Sequence, residues 1–285
     1  MSAERPRIRS AEAFREVFGV SRETTDRLAT YEALLKTWQR TINLVSPASL
    51  EDAWHRHFAD SAQLLNFALS EGTPLSPPPC GEGSGVGGTP TADGLGSPPP
   101  NLPHNLPHNL PHKGGGKPSS KSEGGEEKSE LAAQPVKSWL DLGSGAGFPG
   151  LVLAILLAER MPEAHMTLVE SDSRKAAFLR EVARKTGVAV EIRVERSEIT
   201  ATQAKSRIRD AITARALAPL PKLLGLALPF FSPQTVALFP KGREAAVEVE
   251  EATRRFDFDS QLVPSLTDEE ARVVIVRNLA VKTEG

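Results

Sequence analysis

A glycine-rich segment follows the first strand-like stretch of this chain. Residues 138–142 alternate as a short buried strand, and Gly143, Gly145, Gly147 and Gly150 follow before an apolar run. A chain that passes this sharply from a strand into a helix needs positive φ angles, and glycine also lets a ligand approach the backbone closely. We therefore predict a strand, a turn and a helix that bind a nucleotide-like cofactor.

Two carboxylates accompany this turn. Asp141 lies two positions before Gly143, and Glu170 ends the next predicted strand. A carboxylate beside the turn repels an anionic pyrophosphate, whereas a carboxylate at the end of the second strand can accept both hydroxyls of a ribose. Gly145, Gly147 and Gly150 also fit the dinucleotide pattern G-x-G-x-x-G, so this pattern leaves a nicotinamide-dependent oxidoreductase open.

Later loops add further candidates for the same site. Ser197 and Glu198 follow the third predicted strand and carry short polar side chains that suit an adenine edge. Arg215 follows the fourth strand, where it would project over the reaction centre. Ligands of parallel α/β sheets bind at the carboxyl ends of the strands, so these loops should lie at one edge with the glycine turn.

Several basic residues are candidates for contact with RNA phosphates. Phosphate binding requires a local basic surface and not a positive net charge of the whole chain. Lys241 and Arg243 follow the fifth predicted strand, and Arg40 and Arg56 lie in the N-terminal region. In the same region His57 and Asp60 are three residues apart. On a helix their side chains would lie on the same face. They would then be either a pair that fixes the helix packing or part of the site.

The elements that position these residues fall into two parts. Apolar spacings of three and four predict a helical N-terminal lobe over residues 1–69, with Ser21 and Ser46 as N-caps. Residues 136–285 alternate strands and helices, which predicts a Rossmann-like domain with a mostly parallel sheet and helices on both faces. Its strands are predicted at 138–142, 166–170, 188–194, 210–213, 235–239, 259–263 and 272–276.

Residues 70–135 have a different composition. They are rich in proline and glycine and poor in large apolar residues, which predicts a disordered low-complexity insertion. Asn-Leu-Pro-His occurs three times in residues 101–112, but the prolines prevent a helix that would align the histidines, so we expect no metal site. Cys80, the single cysteine, also lies here and is a poor candidate for a nucleophile.

The composition describes a soluble globular protein. The chain has 285 residues, 39% of them hydrophobic and 25% charged, with a net charge of −2. It contains no apolar run of transmembrane length, and its N-terminus has no hydrophobic signal core. One cysteine allows no intrachain disulfide. We expect a cytoplasmic monomer without a membrane partner.

The motifs together resemble those of the ribosomal RNA small subunit methyltransferase G family, also called RsmG or glucose-inhibited division protein B. The resemblance rests on residues 43–46, 56–61, 140–150, 196–198 and 213–216. Asp141 with the alternating glycines is similar to the first motif of class I methyltransferases, which use S-adenosyl-L-methionine (SAM). The resemblance therefore implies the class I SAM-dependent methyltransferase fold and SAM as the cofactor.

The same resemblance implies a reaction and its partners. It implies methylation of N7 of guanine 527 in 16S ribosomal RNA, within the 30S subunit or an assembly intermediate, in the bacterial cytoplasm. It also implies that Gly143, Phe148, Ser197, Glu198 and Arg215 contact SAM. In the family an aspartate commonly stands where this chain has Glu170, and the long insertion is not part of the usual pattern.

The residues around the fourth strand limit the chemistry. Guanine N7 carries an unprotonated lone pair, so its methylation needs positioning rather than a general base, and Arg215 is our only candidate near the reaction centre. Residues 213–216 lack the Asn/Asp-Pro-Pro-aromatic motif of exocyclic-amine methyltransferases, and pyrimidine C5 methylation requires a cysteine nucleophile. The alternatives are an NAD(P)-dependent oxidoreductase and a non-catalytic rRNA-binding ribosome-assembly factor.

Overall fold

The computed structural model describes residues 7–69, 136–198 and 208–283, which fall in one compact unit. The predicted insertion at 70–135 lies outside the described residues, together with Cys80 and the Asn-Leu-Pro-His repeats. The division of the chain into lobe, insertion and domain stays a prediction.

The N-terminal region is helical, as predicted. Serine side chains cap its first helices: Ser10, Ser21 and Ser46 accept hydrogen bonds from backbone N–H groups three residues later. The described elements are α1 (Ala11–Phe18), α2 (Arg22–Trp38), α3 (Pro47–Leu50), a π-helical turn (Trp54–Ala59) and α4 (Asp60–Leu69).

The apolar spacing from Trp54 to Leu69 predicts one continuous helix, which the π-helical turn interrupts. Trp54, Phe58 and Leu65 are buried as expected, but Leu69, the last residue of α4, is 41% exposed. A π-helix pairs each N–H with the carbonyl five residues back rather than four, so one turn contains more residues than an α-helical turn. The i,i+4 spacing of an α-helix therefore does not describe this segment.

The described residues from 136 onward contain one seven-stranded sheet. The strands are β1 (Ser138–Leu142), β2 (His165–Glu170), β3 (Val190–Val194), β4 (Ala211–Thr213), β5 (Val236–Lys241), β6 (Phe256–Pro264) and β7 (Arg272–Val281). Their order is β3-β2-β1-β4-β5-β7-β6, and β7 runs antiparallel to both of its neighbours. The remaining pairs are parallel. This architecture confirms the predicted class I methyltransferase fold.

Helices cover both faces of the sheet. They are α5 (Gly150–Arg160), α6 (Ser173–Thr186), α7 (Leu220–Ala227), a short 3₁₀ turn (Leu228–Phe230) and α8 (Ala245–Ala252). Along β1 the side chains alternate: Trp139 joins the core shared with α5 and α6, and Leu140 joins the core shared with α7 and α8. The central parallel strands β1, β2 and β4 are consequently buried on both sides, whereas the edge strand β3 is partly exposed.

The helical N-terminal region packs on α5 and α6 as an additional layer. Its aromatic residues share one core with α5, including Phe14, Tyr31 and Phe58, each 0% exposed. Polar contacts add to this packing, because Glu159 on α5 accepts hydrogen bonds from the backbone and hydroxyl of Ser21 at 3.0–3.1 Å. Among the described helices, none is long and apolar enough to cross a membrane.

We predict that Gly150→Ala lowers the free energy of unfolding although alanine is the better helix former. A Cβ at this position would lie 2.6 Å from Asp141 Oδ2 and against Leu168 Cδ2. Overpacking of this kind typically costs about 1–3 kcal/mol, which outweighs a propensity gain of about 1 kcal/mol. Chemical denaturation measures the change.

The matched control is Gly225→Ala in α7, where the added Cβ meets Phe256 at an ordinary 3.8 Å. We expect this variant to be stabilised by up to about 1 kcal/mol. Equal effects of the two substitutions would contradict the packing explanation.

Candidate functional site

The turn between β1 and α5 is packed closely by its neighbours. Gly143, Gly145 and Gly147 have φ angles of 69°, 57° and 90°, which side chains rarely adopt. A Cβ on Gly143 would lie 2.6 Å from Leu217 Cδ1, and a Cβ on Gly147 would collide with the hydroxyl of Tyr31. That hydroxyl donates a hydrogen bond to the carbonyl of Ala146. Gly143 and Gly147 are therefore required by both conformation and space, and Gly145 by conformation alone.

Glu170 ends β2 at the carboxyl edge of the sheet, as predicted. Its Oε2 accepts a hydrogen bond from the N–H of Gly145 at 2.7 Å, and its Oε1 accepts one from the N–H of Asp172 at 2.7 Å. The carboxylate thus joins the glycine turn to the loop after β2. Each carboxylate oxygen has a second lone pair, which suits the acceptance of ribose hydroxyls.

A cavity of about 620 Å³ lies beside this edge, between the loops that follow β2 and β3. Its volume is within the range of small-molecule sites. It is lined by Ser171, Asp172, Ser173, Val194, Glu195 and Arg196. A larger cavity of about 790 Å³ lies between helices of the N-terminal region, beside Trp54, and contains no residue of the sheet edge. The smaller cavity is the better candidate because it adjoins Glu170.

Asp141 lies beneath the turn and is 0% exposed. Its Oδ1 accepts a hydrogen bond from the Thr213 hydroxyl at 2.7 Å, whereas Oδ2 lies beside Gly150 and has no hydrogen-bond partner among the described residues. Burial raises the pKa of Asp141 to about 6, although the nearby Thr213 and Ser144 hydroxyls and the backbone of Gly150 oppose the shift. Any effect of this carboxylate on a ligand passes through the turn above it.

Phe148 is the centre of an aromatic cluster that joins the turn to the helical N-terminal region. Its ring stacks on His57 at 4.7 Å and on Tyr31 at 5.2 Å between centroids, and Phe58 meets it edge-on at 5.5 Å. The Arg215 guanidinium carbon lies 5.1 Å from its ring centroid. Phe148 is 3% exposed, so it reaches a ligand only at its rim, and it fixes the position of Arg215 by cation–π attraction.

Arg215 is held by three further groups from the helical region. Nη1 donates to the Arg56 carbonyl at 3.2 Å and to Asp60 Oδ2 at 3.3 Å, and Nη2 lies 3.0 Å from His57 Nδ1. Because a guanidinium only donates, Nδ1 of His57 is the acceptor and Nε2 carries the proton. Burial, with the positive charges of Arg215 and Arg56, lowers the pKa of His57 to about 3. His57 is therefore neutral at physiological pH and is not available as a base.

The other predicted site residues lie in varied surroundings. Ser197 is buried, and Glu198 is exposed and pairs with Lys222 on α7 at 3.1 Å. Lys241 Nζ contacts Glu248 Oε2 at 2.7 Å and the Ala218 carbonyl at 2.8 Å, so an RNA phosphate would have to share it with these groups.

The remaining candidates for RNA contact are open to solvent. Arg40, Arg56 and Arg243 are exposed. Arg56 lies closest to the turn, since its carbonyl binds Arg215. Arg243 lies 3.5 Å from Glu270 in an exposed pair, which screens its charge only weakly.

Tyr31 is not among the residues predicted from the motifs, whereas His57 and Asp60 were predicted either as a packing pair or as part of the site. Tyr31 contacts the turn directly, and His57 and Asp60 hold Arg215. For His57 and Asp60 the signal is their spacing of three, but their shared partner lies more than 150 residues away along the chain. Ala216, next to Arg215, has a φ of 53°, a left-handed conformation that clusters at functional sites.

We predict that Asp141→Asn stabilises the protein above pH 6 and not near pH 4. A raised carboxyl pKa means that the native state binds the proton more tightly than the unfolded state, so stability falls as the pH rises from about 4 to about 6. The new amide oxygen can still accept from Thr213. The gain at pH 7 should be about 2–3 kcal/mol, from a shift of about two pKa units.

Chemical denaturation at several pH values measures this difference. Glu181→Gln on the exposed face of α6 is the control, because Arg184 lowers the pKa of Glu181 and so gives the pH dependence the opposite sign. A gain from Asp141→Asn that does not vary with pH would contradict the prediction.

The comparison with known proteins agrees with this geometry. The family model of rRNA small subunit methyltransferase G matches residues 128–274. The ribosomal RNA small subunit methyltransferase G of Parvibaculum lavamentivorans is 38% identical over 274 residues, covering 96% of this chain and 92% of that protein. Its counterpart from Rhodospirillum centenum is 40% identical over 267 residues, covering 94% of this chain and 90% of that protein.

Among solved structures, an SAH-bound methyltransferase of Podospora anserina covers 50% of this chain and 71% of its own, at 16% identity and a TM-score of 0.40. That score is too low to add to the assignment, which rests on the family model and the sequence relatives. By these matches, the chain belongs to the rRNA small subunit methyltransferase G family.

Proposed function

We propose that this protein transfers the methyl group of SAM to N7 of a guanine in 16S ribosomal RNA, guanine 527 by the family resemblance. The observation that carries the proposal is the glycine turn with Glu170 at the carboxyl edge of a class I methyltransferase sheet. The reaction takes place in the cytoplasm, on the 30S subunit or an assembly intermediate. The protein acts as a monomer.

The residues at this edge suit the parts of SAM. The Glu170 carboxylate accepts the ribose hydroxyls, and the cavity beside it, bordered by Val194 and Arg196, takes the nucleoside. Ser197 and Glu198 follow directly and contact the adenine. The backbone of Gly143, Gly145 and Gly147 lies against the methionine part, while Asp141 supports the turn from below. SAM supplies an electrophilic methyl group on a sulfonium.

The remaining task of the protein is to position the acceptor, since guanine N7 needs no proton removed. Proximity and orientation alone can provide a large part of a rate enhancement. The site agrees with this requirement: His57 is neutral and its Nδ1 is bound to Arg215, and Asp60 is bound to Arg215 as well. Arg215 lies between the turn and the helical region, so its charge acts near the reacting groups.

Incubation with labelled SAM and 30S particles from a strain that lacks this gene tests the function. We expect label in 16S rRNA, located at a guanine N7 by mass spectrometry and by chain cleavage specific for 7-methylguanine. Calorimetry should show saturable binding of SAM and none of NADH. Binding of NADH alone would support the oxidoreductase, and RNA binding without label would support the assembly factor.

A second prediction distinguishes the roles of Lys241 and Arg243, which lie two positions apart in the chain. Arg243→Ala should weaken binding to the ribosomal RNA and lower the slope of log affinity against log salt by roughly one, because an exposed arginine can release about one counterion from a phosphate. Filter binding at several salt concentrations measures the slope.

Lys241→Ala should instead lower the melting temperature, since it leaves Glu248 and the Ala218 carbonyl without their partner. Its salt slope should stay close to that of the wild type. The opposite pattern, a stable Lys241→Ala with a reduced slope, would assign the RNA contact to Lys241.

A further inference from the structure

Asp60 joins three separate parts of the molecule. Its Oδ2 lies 3.3 Å from Nη1 of Arg215, in the loop after β4. Its Oδ1 accepts hydrogen bonds from Thr267 in the β6–β7 loop at 3.0 Å and from Gln63 on α4 at 2.9 Å. The carboxylate is thereby fixed from behind, and one oxygen is left to face Arg215.

The orientation of this carboxylate is determined by Gln63. The Gln63 Oε1 accepts a hydrogen bond from the N–H of Leu266 at 2.8 Å, so its Nε2 must face Asp60 and Ser265. An amide nitrogen only donates, and Oδ1 of Asp60 must therefore be an acceptor. Two elements of the fold, α4 and the β6–β7 loop, consequently specify which atom of residue 60 meets Arg215.

The π-helical turn supplies the second contact for the arginine. The carbonyl of Arg56, within this turn, accepts from Nη1 of Arg215 at 3.2 Å. His57 Nδ1 contacts the other terminal nitrogen, Nη2, so both terminal nitrogens of the guanidinium have partners. The guanidinium lies over the ring of Phe148. A free arginine side chain has about 2 kcal/mol of rotamer entropy, which this arrangement removes before a ligand arrives.

We propose that Asp60 is a positioning residue for methyl transfer, which acts by holding Arg215 over the glycine turn. This inference rests on the proposed function and extends it. It assigns part of the catalytic geometry to the helical N-terminal region, which does not itself carry the glycine turn. A merely structural ion pair predicts a different result, namely a loss of stability with no specific effect on the reaction.

Asp60→Asn is the sharpest test. Gln63 holds the oxygen of the new amide toward itself, so the NH₂ group faces Arg215, where donor meets donor and the arginine is released. We expect kcat/KM for SAM to fall by about tenfold or more, because a displaced catalytic group loses its orientation. Methylation of 30S particles with labelled SAM measures kcat and KM separately.

Asp52→Asn is the matched control. Asp52 also pairs with an arginine in the helical region, Arg7, at 2.6 Å, and its pair does not touch the glycine turn. We expect kcat/KM within about twofold of the wild type, because the described side-chain hydrogen bonds of Asp52 go to Arg7 and not to Arg215 or His57. Equal losses in Asp60→Asn and Asp52→Asn would overturn the inference, because both would then reflect general destabilisation.

A double-mutant cycle with Arg215→Gln tests the connection itself. If Asp60 acts through Arg215, the double variant is no slower than Arg215→Gln alone, whereas independent effects multiply. Multiplying effects, or an Asp60→Asn variant with wild-type kinetics, would overturn the inference.

If Asp60→Asn does not fold, Arg215→Lys carries the test. A lysine keeps the charge beside Asp60, but it cannot hold Asp60, the Arg56 carbonyl and His57 in one plane. We expect kcat/KM to fall by about tenfold with an unchanged melting temperature, and unchanged kinetics would overturn the inference. Absence of methyl transfer by the wild type would be a failure of the proposed function and is separately recognisable.

Discussion

The lack of space around the turn after β1 is the constraint on which the rest of the structure depends. Leu217 approaches Gly143 from the β4 loop, Tyr31 approaches Gly147 from the helical region, and Asp141 lies beneath Gly150. Each contact brings a different element against the same few backbone atoms. A side chain at these glycines would push one of these elements away, so the turn, the sheet and the helical layer are specified together.

The charges around the turn are arranged so that few of them remain free. Arg215 is matched by Asp60, and His57 beside it is kept neutral by burial and by the arginine. Asp141 carries its charge in a fully buried position, with one oxygen unpaired. An unpaired buried oxygen lowers the free energy of unfolding. Proteins typically retain such a group where a functional site needs its electrostatic field. The turn thus has a cation above it and an anion below it.

The helical N-terminal region is part of this arrangement rather than an appendage. Phe148 of the turn lies between Tyr31 and His57, and Asp60 connects Arg215 to the β6–β7 loop through Thr267. A displacement of α4 would therefore move a residue of the β4 loop and the loop at the far end of the sheet.

The sequence by itself determined the fold class, all seven strands to within a few residues, the N-caps at Ser21 and Ser46, and the family. These features follow from local periodicity, capping and glycine spacing, which involve residues close together in the chain. The predicted strand ends also placed Arg215 and Glu170 at the carboxyl edge. The π-helical turn, the burial of Asp141 and the pairing of Lys241 with Glu248 were decided only by the tertiary structure. The tertiary structure alone also brings Arg215 against Asp60 and His57, and Tyr31 against Phe148. These contacts connect residues far apart in the chain and depend on how helices pack on a sheet.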